Sequence, residues 1–240
     1  YIQIENVAYY TVAVFIATVI IVPFRSMNQI AYPLTASLMN AKDYKGLREL
    51  YKRSSLSLLT ISALIFLGVL LNVEDLYLLL PENYRGGFQV VLLLGLARLF
   101  DSFLGINTAI LYNSRYYGTL LLMGVLLGLL TIVLNAWMIP RQGLTGAALA
   151  TFISIALYNI AKLLFVKWKF GLVPWSRNSL MVFALSIGTY ILIFWMQFGF
   201  HPVVNIILKS LLIALVYLGG VIRFRLSEDL IQLIQGRFKE

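Results

Sequence analysis

VVLLLGLARLFDSFLGINTAILY, residues 90–112, decides the fold class: it is apolar enough to sit in lipid, yet it carries Arg98 and Asp101 near its middle. The rest of the chain indicates that lipid is the right setting. Sixty per cent of the 240 residues are hydrophobic and only 12% are charged, with a mean hydropathy of +0.87. A soluble domain is about half apolar and a quarter charged. The apolar residues come in blocks of about 20, the length of helix that crosses roughly 30 Å of hydrocarbon, whereas barrel strands would be alternating segments of about ten. The expected fold is an all-α integral membrane protein.

Seven candidate spans can be read along the chain: Val7 to Leu38, Ser55 to Leu71, Phe88 to Tyr112, Leu120 to Ile139, Thr145 to Val166, Leu180 to Phe198 and Val203 to Val221. Turn and polar signals separate them, among them NAKDYKG, LPENYRGG, NSRYYG, IPRQG and FGFHP. The first block is too long for one straight crossing. Pro23 and Pro33 offer a kink and an end, because proline removes a backbone donor and clashes with the preceding turn.

Lys and Arg of short loops stay in the cytoplasm, and here every second connection is basic. The connection after the first span holds Lys42, Lys45, Arg48, Lys52 and Arg53; the next basic one holds Arg115; then come Lys162, Lys167, Lys169 and Arg177; the tail holds Arg223, Arg225, Arg237 and Lys239. The alternate connections hold only Arg85 and Arg141, the former near Glu74, Asp75 and Glu82. The tail is therefore expected in the cytoplasm and Tyr1 outside. A chain that starts outside, directly before a span and with neither initiator Met nor basic leader, reads as a C-terminal fragment. The net charge of +9 suits contact with anionic lipid; there is no soluble basic domain to suggest nucleic acid.

Catalytic chemistry finds few residues. His201 is the sole histidine, beside Pro202 in an expected outer loop, and there is no cysteine, so neither a histidine-based triad nor a multi-histidine or thiolate metal site can be assembled. Neither a P-loop nor another Gly-rich phosphate cradle appears. No cofactor is expected. Packing signals are clearer. Gly146, Ala150 and Ser154 recur every four residues, and Gly124 and Gly128 repeat the device, so close helix approach is expected at both places. Asn135 and Asn159 read as interhelical hydrogen-bond groups.

Four segments, taken in order, resemble a known family: PLTASLMNAKDYKGLRELYKRSS (33–55), LLPENYRGG (79–87), LGLARLFDSFLGINTAILYNS (94–114) and NAWMIPRQGLTGAALATFIS (135–154). Together they resemble the C-terminal half of bacterial polysaccharide-biosynthesis flippases. These are the O-antigen and capsule exporters of the superfamily that also holds multidrug extruders and lipid II flippases. The resemblance implies seven of fourteen transmembrane helices, with a five-helix lobe over residues 1–170 and two peripheral helices plus a cytoplasmic tail over 171–240. It also implies a missing N-terminal lobe, a bacterial inner-membrane location, and a polyprenyl-pyrophosphate-linked oligosaccharide as cargo for lipopolysaccharide or capsule assembly. Membrane lipids and polysaccharide-assembly enzymes are the other implied partners; no nucleic acid is.

Such cargo calls for a cationic lumen, and arginine pairs with phosphate oxygens through its planar fork. Arg98 and Asp101, spaced i, i+3, are neighbours on a helix, and Ser102, Gly105, Thr108 and Tyr112 are expected to continue their face. A charge at mid-membrane costs about 2.5–3.5 kcal/mol on insertion scales, so an inward face is expected. The pair either lines a substrate cavity or neutralises itself as a structural bridge. Arg25 shares a stripe with Thr11, Thr18 and Tyr32, with Asn28 and Gln29 nearby; it either lines the same cavity with Asn28 or snorkels to the headgroups. Lys209 is expected to snorkel at the outer end of the last span. DYKGLRELYKRSS and LSEDLIQLIQGRFKE, the latter with Ser227 as cap, read as cytoplasmic surface helices. Three functions stay open: a lipid-linked glycan flippase, an ion-coupled cation exporter of the same superfamily, and a transport-inactive scaffold. The exporter is disfavoured because Asp101 is the single acid expected inside a span.

Overall fold

The computed structural model describes residues 4–196, 198–227 and 229–230, and the regular structure of all of them is helical. α1 (Ile4–Thr18) runs through a 3-10 turn at Val19–Ile21 into α2 (Val22–Asn40). The bend falls where Pro23 occupies the first turn of α2, the position at which a missing backbone N–H matters least. Pro33, expected as an end, lies inside α2, which continues to Asn40.

α3 (Tyr44–Leu78) is one helix of 35 residues, started by the Asp43 carboxylate, which accepts from the Gly46 N–H. It absorbs the expected surface helix at its start and the first acids of the expected outer loop at its end. DYKGLRELYKRSS therefore does not lie apart on the headgroups: Leu47 and Tyr51 are fully buried against α5 and the end of α6, and burying that apolar face outweighs a separate surface position. The corresponding reading of the C-terminal tail falls outside the described residues beyond 230. Its start is anchored by Asp229, which bonds Arg53 and accepts from Ser57 at 3.0 Å.

The opening stretch is not one straight helix. α4 (Phe88–Phe103) stops and α5 (Asn107–Tyr112) resumes after a break whose Gly105 has φ +54°. The break frees the Phe103 carbonyl, and the Ser55 hydroxyl of α3 donates to it. α6 (Tyr117–Phe170) is continuous by hydrogen bonding, but its 54 residues would span about 80 Å if straight. Gly143, at φ 57° and ψ −133°, breaks it just after Pro140. Gly146 then abuts the Met138 carbonyl, and Met123, Leu127 and Leu130 face Ser154, Leu157 and Ala161. Residues eight apart on a straight helix stand about 12 Å apart. The two arms, 117–142 and 144–170, therefore fold back on each other as a hairpin, and Gly146 is the close approach expected of it. Gly124 and Gly128 differ: they face open space, so no helix among the described residues packs on them.

α7 (Arg177–Phe194) starts in a capping box between Ser176 and Ser179, and α8 (Pro202–Arg223) starts at His201, whose Nδ1 accepts from the Val203 N–H at 3.4 Å. The single histidine is thus a helix cap. α7 and α8 lean on α3 through Leu59, Ala63, Leu67, Val182, Ile193, Ile213 and the fully buried Tyr217, whose hydroxyl donates to the Thr60 carbonyl at 3.0 Å. On the other side of α3, Ala13, Ala17, Val73, Val90, Leu94 and Ala148 form the core at one end of the bundle, and Ala31, Tyr51, Ile110, Val166 and Leu172 that at the other. α3 is consequently the central helix.

Among the described residues, five helices are long and apolar enough to cross a membrane: Tyr9–Asn40, Tyr44–Leu78, Tyr117–Phe170, Arg177–Phe194 and Pro202–Arg223. The seven spans read from the sequence differ from these because α6 counts once despite its fold-back and α4 has only 16 residues before its break.

Candidate functional site

Contacts with neighbouring helices sort the polar residues of the opening stretch into two groups. Asp101 and Ser102 are adjacent, so they point about 100° apart. Ser102 is fully buried against α3, accepting from the Ser62 hydroxyl at 2.8 Å, and Gly105 lies on the Ser55 backbone. They do not continue the Arg98–Asp101 face, contrary to the expectation. Thr108, seven residues after Asp101, does return to that side and meets the facing arm of α6 through Lys162. Tyr112 is exposed and meets Tyr32 edge to face, with ring centroids 5.4 Å apart.

Arg98 Nη1 lies 3.5 Å from Asp101 Oδ2, with 31% of the arginine side chain and 15% of the aspartate side chain exposed. The pair is neither in full contact with the surroundings nor enclosed. α6 completes the site from the facing arm. Asn159 Nδ2 donates to Asp101 Oδ1 at 2.8 Å, so this asparagine is interhelical as expected, whereas Asn135, among the described residues, bonds back to the Thr131 carbonyl of its own helix. One turn on, Lys162 Nζ donates to Thr108 Oγ1 at 3.1 Å and sits 4.2 Å from the centre of the Tyr158 ring.

Lys162 is the site residue that sequence reading assigns elsewhere. Counted there with the cytoplasmic basic connection, it is only 5% exposed and close enough to Asp101 to interact with its charge. The signal was its spacing: Tyr158, Asn159 and Lys162 stand at i, i+1 and i+4, a polar patch on an otherwise apolar arm. What results is a cluster with two cations, Arg98 and Lys162, around one carboxylate. A buried ammonium needs both charge balance and hydrogen bonds, and Lys162 has the Thr108 hydroxyl and the Tyr158 ring, with the charge of Asp101 nearby.

Arg25 is exposed on α2 and Asn28 is half-buried; among the described residues no hydrogen bond or ion pair joins either to Arg98 or Asp101. The Asn28 Oδ1 atom is buried without a hydrogen-bond partner among the described residues.

A second buried pair lies between α3 and α8. Lys209 Nζ is 2.7 Å from Asp75 Oδ2, with side chains 14% and 9% exposed, and Asn205 Nδ2 donates to Asp75 Oδ1 at 3.1 Å. Lys209 therefore does not snorkel, and Asp101 is not the single acid inside a helix. Both corrections have one cause: α3 runs seven residues past the expected end at Leu71, which carries Asp75 inward where a carboxylate demands a partner.

Comparison with protein-family models, with curated proteins and with solved structures returned no match.

Proposed function

We propose that this chain is a seven-crossing lobe of a bacterial inner-membrane flippase, and that its cargo is a polyprenyl-pyrophosphate-linked oligosaccharide for surface polysaccharide. In this reading α1–α2, α3, α4–α5, the two arms of α6, α7 and α8 are the crossings. The observation that carries the reading is the surplus cation: Asp101 pairs with Arg98, Lys162 on the facing arm bonds the neutral Thr108 hydroxyl, and Arg98 keeps nearly a third of its side chain open. A pyrophosphate brings the missing negative charge, and a guanidinium is suited to it. Asp101 orients Arg98 and moderates its field until the cargo arrives. A cation exporter fits less well at this site, because its carboxylate, Asp101, already holds a cation, as does Asp75 between α3 and α8.

The test is export of glycan by the full-length protein at matched abundance. Arg98→Gln and Lys162→Gln are each expected to cut export at least tenfold while leaving the protein folded. Normal export by the double variant Arg98→Leu with Asp101→Leu would make the pair purely structural and favour the scaffold reading.

The membrane placement has its own check. Lys42, Lys45, Arg115, Lys169 and Arg177 gather at one end of the bundle, where Asn40, Tyr44, Arg115 and Lys169 line one cleft. We assign that end to the cytoplasm. With no native cysteine in the chain, a cysteine at position 45 should resist a membrane-impermeant thiol reagent in intact cells, and one at Glu82 should react. The reverse pattern inverts the topology.

A further inference from the structure

A cavity of about 680 Å³ opens between the C-terminal ends of α3 and α7 and the start of α8, at the end of the bundle away from the Lys/Arg-rich connections. That volume lies within the range of about 300–1,000 Å³ typical of small-molecule sites. Its walls are graded. Leu70, Leu71 and Ile193 make the apolar depth; Lys209, Asp75 and Asn205 make a polar shelf; Glu74 and the aromatic rings of Tyr190, Phe194, Phe198 and Phe200 make the rim.

The shelf still has a donor to give. Asp75 is satisfied, taking Lys209 on one oxygen and Asn205 on the other. Lys209 directs one N–H to Asp75 and a second, at 3.5 Å, to the Leu71 carbonyl; an ammonium has three. The Asn205 Oδ1 atom has no hydrogen-bond partner among the described residues. Glu74, one residue along α3 from the pair, is exposed and enters no ion pair among the described residues. A buried ammonium with a spare N–H, a rim carboxylate beside aromatic rings, and an apolar floor are thus arranged in one cavity.

We propose that this cavity holds an aminophospholipid, with its ammonium on Glu74 and the aromatic rim, its phosphate on Lys209, and an acyl chain along Leu70, Leu71 and Ile193. The charge pattern selects the class. A neutral glycan leaves Glu74 unmatched, an anionic lipid meets it with like charge, and a choline headgroup has no N–H to donate to it. Aromatic faces attract ammonium groups in addition. The lipid fills a seam between α3 and the α7–α8 hairpin and so fastens that hairpin to the bundle. This inference rests on the membrane placement and is independent of the glycan cargo.

The experiment is native mass spectrometry of the intact protein released from bilayers of equimolar phosphatidylethanolamine, phosphatidylcholine and phosphatidylglycerol. Phosphatidylethanolamine is expected to be retained at least tenfold over either of the others, and Glu74→Gln to bring it level with phosphatidylcholine. Because Lys209→Met risks leaving Asp75 unpaired, the shelf is tested with Asp75→Asn combined with Lys209→Gln, which keeps it hydrogen-bonded and neutral; retention of phosphatidylethanolamine should fall at least tenfold. Equal retention of the three lipids by the parent protein, or an unchanged preference in Glu74→Gln, overturns the proposal. No glycan enters the measurement, so a failed export assay leaves its result standing.

Discussion

Asp101→Leu is expected to lower the stability of the folded protein by about 3–5 kcal/mol, the cost of leaving a buried charge without its partner. The substitution withdraws the carboxylate from three groups at once: Arg98 at 3.5 Å, Asn159 at 2.8 Å, and Lys162 within electrostatic range. Arg98 can swing its partly exposed side chain outward; Lys162, 5% exposed, cannot. The uncompensated lysine should therefore carry much of the loss, and adding Lys162→Leu to Asp101→Leu should recover a measurable part of it. Thermal unfolding in detergent at matched concentration reads both effects. Parent-like melting of Asp101→Leu would show that the carboxylate holds neither cation. Asp101→Asn should lie between, since it keeps an acceptor for Asn159 while losing the charge.

Gly105→Val is expected to be comparably severe for a steric reason. At φ +54° a side chain meets its own backbone, at about 1–2 kcal/mol for an ordinary L residue and more for a β-branched one. A Cβ there also lies 2.9 Å from both the N and Cα atoms of Ser55, backbone that cannot step aside without moving the middle of α3. Overpacking of this kind costs about 1–3 kcal/mol more. The sum, about 2–5 kcal/mol, should appear as a lower unfolding temperature. The same valine at Gly188, whose Cβ meets open space, should change it little. Equal midpoints for the two variants would mean that the α4–α5 break does not rest on α3. The Ser55 hydroxyl bond to the Phe103 carbonyl lies at the same crossing, so displacing α3 also unsatisfies a carbonyl that the break has freed.

Both sites show where composition and local pattern suffice and where they fail. The apolar blocks by themselves determine a helical chain with helices long enough to span a bilayer, because backbone groups in an apolar block must be satisfied within the segment. The alternation of basic and non-basic connections likewise predicts which connections share a side, though Lys162, counted among them, lies inside the bundle against Thr108. Pro23 marks its bend for a local reason, the missing N–H, and Gly146 its close approach by the absence of a Cβ.

What the sequence does not determine is which polar groups meet. Lys162 and Lys209 have ordinary local surroundings for lysines near helix ends, and only the facing helices show that one lies against Thr108 and the other against Asp75. Those contacts join positions 54 and 134 residues apart along the chain, and no periodicity within one segment reports on them. Ser102 fails for the opposite reason: its i+4 spacing from Arg98 suggests a shared face, while its hydroxyl is taken by Ser62 of the neighbouring α3 instead. The extra length of α3 is also a tertiary decision. Its first turns are amphipathic enough to lie on a surface, and they continue the helix because Leu47 and Tyr51 find α5 and the end of α6 to bury against. Local pattern fixes how each segment bends and which face it hides; the partner of each buried charge is set by where the neighbouring helices come to lie.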